Sequence, residues 1–175
     1  PTNQIQISAG AILILINSAV VIGIGLLMFP ILKKYNESIA LGYVVFRLLE
    51  SVILIVGLIS LLSLIPLSQE YIKTQDVDIL YLQELRKLAI DINYFAYQIA
   101  MIMLGIGSFL FCYLLYQSKL IPRLISVWGF IGYAGLLTGA LLEIFNFNVG
   151  LIFSIPGGLF EIVLPIWLFV KGFNL

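Results

Sequence analysis

The chain has 175 residues, of which 62% are hydrophobic and only 10% charged, and its nine basic residues balance nine acidic ones. Soluble domains are roughly half apolar and a quarter charged, so this composition is typical of a polytopic membrane protein. Zero net charge provides no basic surface for nucleic acid. One cysteine and no histidine provide neither a disulfide framework nor the usual ligands of zinc and haem. We therefore expect a lipid bilayer as partner, and no nucleic acid, cofactor or metal.

Five apolar segments follow one another, each close to or longer than the ~20 residues that a helix needs to cross ~30 Å of hydrocarbon. They lie at about 8–32, 38–65, 88–116, 124–145 and 149–170. The one long polar connection, residues 66–87, contains apolar residues that predict a short amphipathic helix there: Ile79, Leu80, Leu82, Leu85 and Leu88. Because the other links are short, we predict an all-α transmembrane bundle of five spans, forming a single domain over residues 1–175.

Basic residues in the links predict the orientation, because lysine and arginine resist translocation more than acidic residues do. Five lie on the side that we assign to the cytoplasm: Lys33, Lys34, Lys119, Arg123 and Lys171. Three lie on the opposite side: Lys73, Arg86 and Lys87. We predict an inner-membrane protein with a cytoplasmic C-terminus and with residues 66–87 outside. An outside N-terminus with five spans is what one further hydrophobic helix before Pro1 would produce.

The second segment contains FRLLES, residues 46–51, in a run that is otherwise almost free of charge. Arg47 and Glu50 lie roughly 15 and 20 Å into this helix, near the bilayer midplane, where each charge costs about 2.5–3.5 kcal/mol on insertion scales. Their i, i+3 spacing places them on one helical face. They form either a structural ion pair or part of a ligand site. Asn17, at similar depth in the first segment, is expected to cross-link helices more readily than to bind a ligand.

The third segment carries a stripe on one helical face, with spacings of three and four residues: Asp91, Tyr94, Gln98, Met101, Gly105, Ser108 and Cys112. Asp91 and Tyr94 are close enough to the surface to be interfacial anchors. Gln98 lies deeper, where a polar side chain needs a partner. The fourth segment contains four regularly spaced glycines that predict close helix packing: Gly129, Gly132, Gly135 and Gly139.

In the fifth segment, SIPGGLFEIVLP places Glu161 near the midplane, and the residues Pro156, Gly157 and Gly158 are predicted to interrupt the helix one turn before it. A break beside a buried carboxylate is typical of transporter sites, although proline kinks without such a role are also common. Arg47 contributes one positive charge, while Glu50 and Glu161 contribute two negative charges at comparable depth. If the three share a pocket, either one glutamate takes up a proton or a cation completes the set.

The candidate ligand site therefore consists of six residues: Arg47, Glu50, Glu161, Gln98, Tyr94 and Asn17. We favour binding or transport of a small polar molecule, a lipid headgroup or an ion. One alternative is an intramembrane enzyme that uses Glu50 or Glu161 as general acid/base, although no nucleophile or metal set is recognisable and no catalytic residue is assigned. Another is a partner subunit whose charges only hold helices together. An open pocket at Glu161 favours a binding, transport or enzyme function. An ion pair without such a pocket favours the structural partner subunit.

Three stretches carry a resemblance to a known family: FRLLES, the link LLYQSKLIPRLISVWGFIG and the tail FEIVLPIWLFVKGF. Together they resemble the bacterial multi-pass membrane protein family catalogued as domain of unknown function 4386, over essentially the whole chain. The resemblance implies that six residues fall on the family's recurring positions: Arg47, Glu50, Pro122, Arg123, Glu161 and Lys171. It also implies that similar proteins begin with one further hydrophobic segment. It implies no activity.

Overall fold

The structure, a computed structural model, describes residues 2–73, 79–147 and 149–174. These residues form six α-helices, in chain order: α1 (Thr2–Leu32), α2 (Glu37–Leu62), α3 (Leu64–Lys73), α4 (Ile79–Ser118), α5 (Arg123–Ile144) and α6 (Ile155–Lys171). A 3-10 helix, Gly150–Ser154, leads into α6. The described part of the chain contains no β-strand, and the predicted all-α class is confirmed.

Within the described ranges, five helical stretches are long and apolar enough to cross a membrane: Ile5–Leu32, Glu37–Gln69, Leu80–Ser118, Arg123–Ile144 and Leu151–Lys171. They correspond to the five predicted spans, in the same order. The chain is therefore an integral membrane protein with five spans in its described residues. Asn36 begins the second of them, because its side-chain oxygen accepts the Ile39 N–H at 3.0 Å and so caps α2.

The connection predicted at 66–87 is more helical than expected. A single turn at Ser63 separates α2 from α3, so the short helix of this connection is Leu64–Lys73. The apolar residues from Leu80 onward belong instead to the first turns of α4, and the prediction of a separate amphipathic helix there is wrong. Residues 79–90 are rich in leucine, glutamate, glutamine, arginine and lysine, which are good helix formers, so α4 continues through them. Residues 74–78 lie outside the described residues.

With 40 residues, α4 is about 60 Å long, roughly twice the hydrocarbon thickness. Its first turns therefore extend beyond the membrane. The charged residues of these turns, Glu84, Arg86 and Lys87, are all exposed. The polar connection is thus an extension of a spanning helix.

The predicted interruption of the last span at Pro156, Gly157 and Gly158 is also wrong, because these residues lie inside α6. Pro156 occupies the first turn, where its missing N–H has no hydrogen bond to lose. The irregular stretch is the 3-10 helix immediately before Ile155. The break in the span therefore lies nearer the end of the bundle than the sequence suggested.

The helices pack in a sequential array, in which α2 packs on α1 and α4, and α5 packs on α4 and α6. The buried core lies toward one end of this array and includes Leu32, Leu120, Ile121, Phe160 and Leu164. The Asn174 N–H also donates to the Leu120 carbonyl at 3.0 Å. The first link, the link after α4 and the end of α6 therefore lie at the same end, which we call the basic end because it carries the five basic residues grouped above.

The glycines of α5 allow the close packing that the sequence predicts. A Cβ at Gly132 would lie 2.8 Å from the Cα of Gly157, so only glycine permits this approach of α5 to α6. A Cβ at Gly139 would lie 2.9 Å from the Cβ of Phe153 in the 3-10 helix. This contact holds α6 and its 3-10 lead-in firmly against α5, and thereby fixes the position of Glu161.

Candidate functional site

A cavity of about 590 Å³ lies between α1, α2, α4 and α6; we call it the central cavity. Its charged lining residues are Arg47 and Glu50 from α2 and Glu161 from α6. The three ionisable residues that the sequence singled out therefore face one space. Polar side chains complete the lining: Asn17 from α1, Asn93 and Tyr97 from α4, and Ser154 from the 3-10 helix.

Arg47 and Glu50 form the ion pair that their spacing predicts. The Arg47 Nη1 donates to Glu50 Oε2 at 3.0 Å, and the Arg47 Nε donates to the Tyr43 hydroxyl at 3.4 Å. The guanidinium carbon lies 5.5 Å from the centroid of the Tyr43 ring, within cation–π range. Glu50 is only 3% exposed. Because both residues lie on α2, the pair forms without any contact to a ligand or to another helix.

Glu161 is held by a neighbouring helix, through a hydrogen bond at 3.0 Å from the Tyr133 hydroxyl to Glu161 Oε1. Tyr133 is almost fully buried and packs edge-on against Phe160, with ring centroids 5.7 Å apart. The sequence predicted a buried carboxylate, but Glu161 is exposed. The reason is that α6 packs chiefly on α5 and the 3-10 helix, which leaves the Glu161 face open toward the central cavity.

Gln98 and Tyr94 line a second cavity of about 210 Å³, which we call the outer cavity because it lies toward the end of the bundle opposite the basic end. Gln98 is 7% exposed, as expected for a polar residue with a buried role. The Tyr94 hydroxyl donates to the carboxylate of Glu143 in α5. Tyr94 thus has a specific polar contact in addition to the interfacial position that the sequence predicts for it.

Sequence reasoning missed Glu143, which is only 9% exposed. It lies two residues before the predicted end of the fourth segment, and a carboxylate at such a place is indistinguishable from a surface residue in the sequence alone. Asn93 and Tyr97 were also missed, because they lie beside the predicted stripe of α4 and not on it. A search for polar residues on the adjacent helical face would have found both.

Asn17 lines the central cavity and is exposed, and no hydrogen bond joins its side chain to another described residue. The cross-link between α1 and α2 comes from its neighbour, because the Ser51 hydroxyl donates to the Ser18 carbonyl at 3.2 Å. The expectation that Asn17 itself cross-links helices is therefore wrong. Asp91 is exposed, which fits a position at the membrane surface.

The chemistry available in the central cavity is ionic recognition. When all three are ionised, the one guanidinium and two carboxylates among its described lining residues leave one negative charge unbalanced, and apolar residues such as Leu13, Leu54 and Leu104 line the same space. Electrostatic attraction is stronger in such a setting than in bulk water. Among the residues that the structure describes, no group of three or more histidine, cysteine, aspartate or glutamate side chains could hold a metal ion. The single cysteine, Cys112, is buried.

The chain matches the family model described as Domain of unknown function (DUF4386) over residues 2–172. No curated protein and no solved structure matches the chain. The family match extends over nearly the entire sequence, so the resemblance inferred from its three short stretches is confirmed.

Proposed function

The chain belongs to the DUF4386 family, whose description assigns no activity, and from the geometry of the central cavity we propose that it binds or transports a small polar molecule or a lipid headgroup that carries an ammonium group. The observation that carries this proposal is that Arg47, Glu50 and Glu161 face the same cavity from two different helices. An ammonium group on the ligand supplies the positive charge that this set lacks.

Each charged residue has a distinct part in the proposed site. Glu50 is engaged by Arg47, so Glu161 provides the carboxylate for the ammonium group of the ligand. Arg47 has five N–H donors, of which two bond to described residues, Glu50 and Tyr43. Its remaining donors suit an acceptor oxygen of the ligand. The proposed ligand thus combines an ammonium group with an oxygen acceptor, as in an amino alcohol or in an ammonium-bearing lipid headgroup.

The size and lining of the cavity support the same function. Ligand pockets are typically about 300–1,000 Å³ and mostly apolar, with a few polar groups that orient the ligand. The central cavity fits this description, since leucine and valine side chains surround the three charges. A scaffold subunit would need only the Arg47–Glu50 pair and no cavity beside it. The alternative of an intramembrane enzyme would use Glu161, with Tyr133 as the hydroxyl beside it, and would convert the ligand rather than release it unchanged.

We further propose that the protein is bacterial and lies in the inner membrane, with the basic end of the bundle in the cytoplasm. This orientation follows from the excess of basic residues in the links at that end. It places Glu84 and the outer cavity outside. A ligand would then reach the central cavity from the outer side.

Charge-selective modification of an introduced cysteine tests this function. Leu54 lines the central cavity one helical turn from Glu50. The reaction rates of a Leu54→Cys thiol with reagents of opposite charge would therefore report the electrostatic potential in this cavity. We expect a quaternary-ammonium thiosulfonate to modify it about tenfold faster than a sulfonate thiosulfonate of similar size, because the cavity concentrates cations. Glu161→Gln should abolish most of this preference. The parent chain is the negative control and should react with neither reagent, because its single cysteine, Cys112, is buried.

Two exposed reference positions report the orientation in the same experiment. Glu84→Cys should react in intact spheroplasts, whereas Lys34→Cys should react only after permeabilisation. The opposite pattern would overturn the proposed orientation but not the proposed site. A Leu54→Cys thiol that remains unmodified in permeabilised membranes, or one that shows no charge preference, would contradict the proposed site.

A further inference from the structure

The outer cavity is built from polar groups that the proposed function does not use. Its lining comes from α4, α5 and the 3-10 helix, and its polar members are Tyr94, Gln98, Glu143 and Ser154. Among the described residues that line it, Glu143 is the charged one. Both Gln98 and Glu143 are more than nine-tenths buried, so they face this space rather than the surrounding membrane or water.

The polar groups of the outer cavity are held in place across two helices. The Tyr94 hydroxyl of α4 donates to the Glu143 carboxylate of α5, and Gln98 lies one helical turn from Tyr94 on the same face. The rings of Tyr94 and Tyr97 also line the cavity. A carboxylate, an amide oxygen and two aromatic rings are the groups that recognise an organic ammonium ion, through charge, hydrogen bonds and cation–π contacts.

The outer cavity adjoins the central cavity. Four residues line both of them: Tyr97, Met101, Leu136 and Ser154. The two cavities are therefore neighbours, with Glu143 in the cavity nearer the outer end and Glu161 in the central one. Met101 is unbranched and flexible, so it can change rotamer as a ligand passes without a rearrangement of the helices.

We propose that Glu143, with Tyr94 and Gln98, forms an outer binding site for an organic ammonium ion on its way to the central cavity. This inference rests on the proposed function of the central cavity. It adds a second ammonium site, on α4 and α5, to the one on α2 and α6. Glu143 attracts the cation first, the rings of Tyr94 and Tyr97 contact it, and the net negative central cavity receives it.

The test uses a cysteine that faces only the outer cavity. Ala140 is 5% exposed and lines that cavity one turn before Glu143. The modification rates of Ala140→Cys by charged reagents therefore report the electrostatic potential in the outer cavity. We expect the quaternary-ammonium thiosulfonate to react about tenfold faster than the sulfonate reagent. Glu143→Gln, which keeps an acceptor for Tyr94, should remove this preference, and Glu143→Asp should restore most of it. Glu161→Gln is the matched control and should leave the preference at Ala140→Cys nearly unchanged.

A second variant keeps the test decisive if Glu143→Gln does not fold. Leu151 is 69% exposed and lines the outer cavity, so Leu151→Lys places a cation there without removing the Tyr94–Glu143 contact. It should also reduce the cation preference at Ala140→Cys, and it should slow cationic modification of Leu54→Cys.

The outcomes separate the two proposals. If Leu54→Cys prefers the cationic reagent and depends on Glu161, but neither Glu143→Gln nor Leu151→Lys changes any rate, the outer site is wrong and the proposed function stands. If Leu54→Cys shows no preference while Ala140→Cys shows one that depends on Glu143, the central site is wrong. A preference at both positions, each controlled by its own glutamate, supports the outer site.

Discussion

Replacement of Glu50 by glutamine should destabilise the protein by about 3–5 kcal/mol, the cost seen when one partner of a buried ion pair is removed. Glu50 is 3% exposed, and its Oε2 accepts a hydrogen bond from the Arg47 Nη1 at 3.0 Å. Glutamine fills the same space but leaves the Arg47 charge without its counter-ion. In one detergent at neutral pH, we expect the melting temperature to fall by on the order of 10 °C.

Two control variants test whether the loss of stability comes from the broken Arg47–Glu50 pair. Glu161→Gln removes a carboxylate that is exposed and can keep its hydrogen bond from Tyr133, so we expect its melting temperature to match or exceed that of the parent. The double variant Arg47→Gln with Glu50→Gln removes both charges and should recover much of the loss. Equal losses for Glu50→Gln and Glu161→Gln would place Glu161 in the same structural network and favour the scaffold alternative.

Replacement of Phe160 by alanine should cost about 3–5 kcal/mol, as expected for the loss of a fully buried phenylalanine. Phe160 is 1% exposed and packs edge-on against Tyr133. A Cβ at Gly129 would lie only 2.9 Å from its ring, so the ring fills the narrow contact between α5 and α6. Loss of this ring leaves a cavity that the closely packed helices cannot fill by collapse. Thermal unfolding in detergent measures the effect.

The matched control for this substitution is Phe169→Ala on the same helix. Phe169 is 90% exposed, so it faces lipid or detergent and not the protein core. The chemical change is identical, and we expect a change in melting temperature within the range of ordinary surface substitutions, about 0.5 kcal/mol or less. Comparable losses for the two variants would mean that α6 packs through a different face, and the placement of Glu161 at the central cavity would then be wrong.

The fold could largely be predicted from local sequence patterns. Helix length in a bilayer is set by the hydrocarbon thickness, so five apolar segments predicted five spans. The i, i+3 spacing of Arg47 and Glu50 predicted their ion pair because that pair needs only one helix. The glycines of α5 also predicted a close helix contact, because a residue without a side chain lets a neighbouring helix approach whichever helix that is.

The parts that could not be predicted depend on which helices pack together. The exposure of Glu161 follows from the packing of α6 on α5, and nothing in the span SIPGGLFEIVLP specifies that neighbour. The buried state of Glu143 depends on Tyr94, 49 residues away in sequence. Hydropathy predicts that the third span begins near residue 88, whereas α4 already begins at Ile79, because helix propensity does not depend on hydropathy.

The central claim is that Glu161 binds an ammonium group while Arg47 binds an acceptor oxygen on the same ligand. The most direct measurement is the melting temperature of the purified protein titrated with ethanolamine, with ethylammonium, acetate and sodium at matched ionic strength. A bound ligand stabilises the folded state by about 2.7 kcal/mol at 100 times its dissociation constant. A parallel titration with phosphatidylethanolamine, against phosphatidylglycerol, in mixed micelles separates a lipid headgroup from a soluble amine.

We expect ethanolamine or phosphatidylethanolamine to raise the melting temperature more than ethylammonium does, and acetate and sodium to have no effect. Glu161→Gln should remove the response to every ammonium compound, whereas Arg47→Gln with Glu50→Gln should remove only the advantage of ethanolamine over ethylammonium. Absence of any ammonium response in the parent protein, or an equal response in Glu161→Gln, would contradict the proposed site.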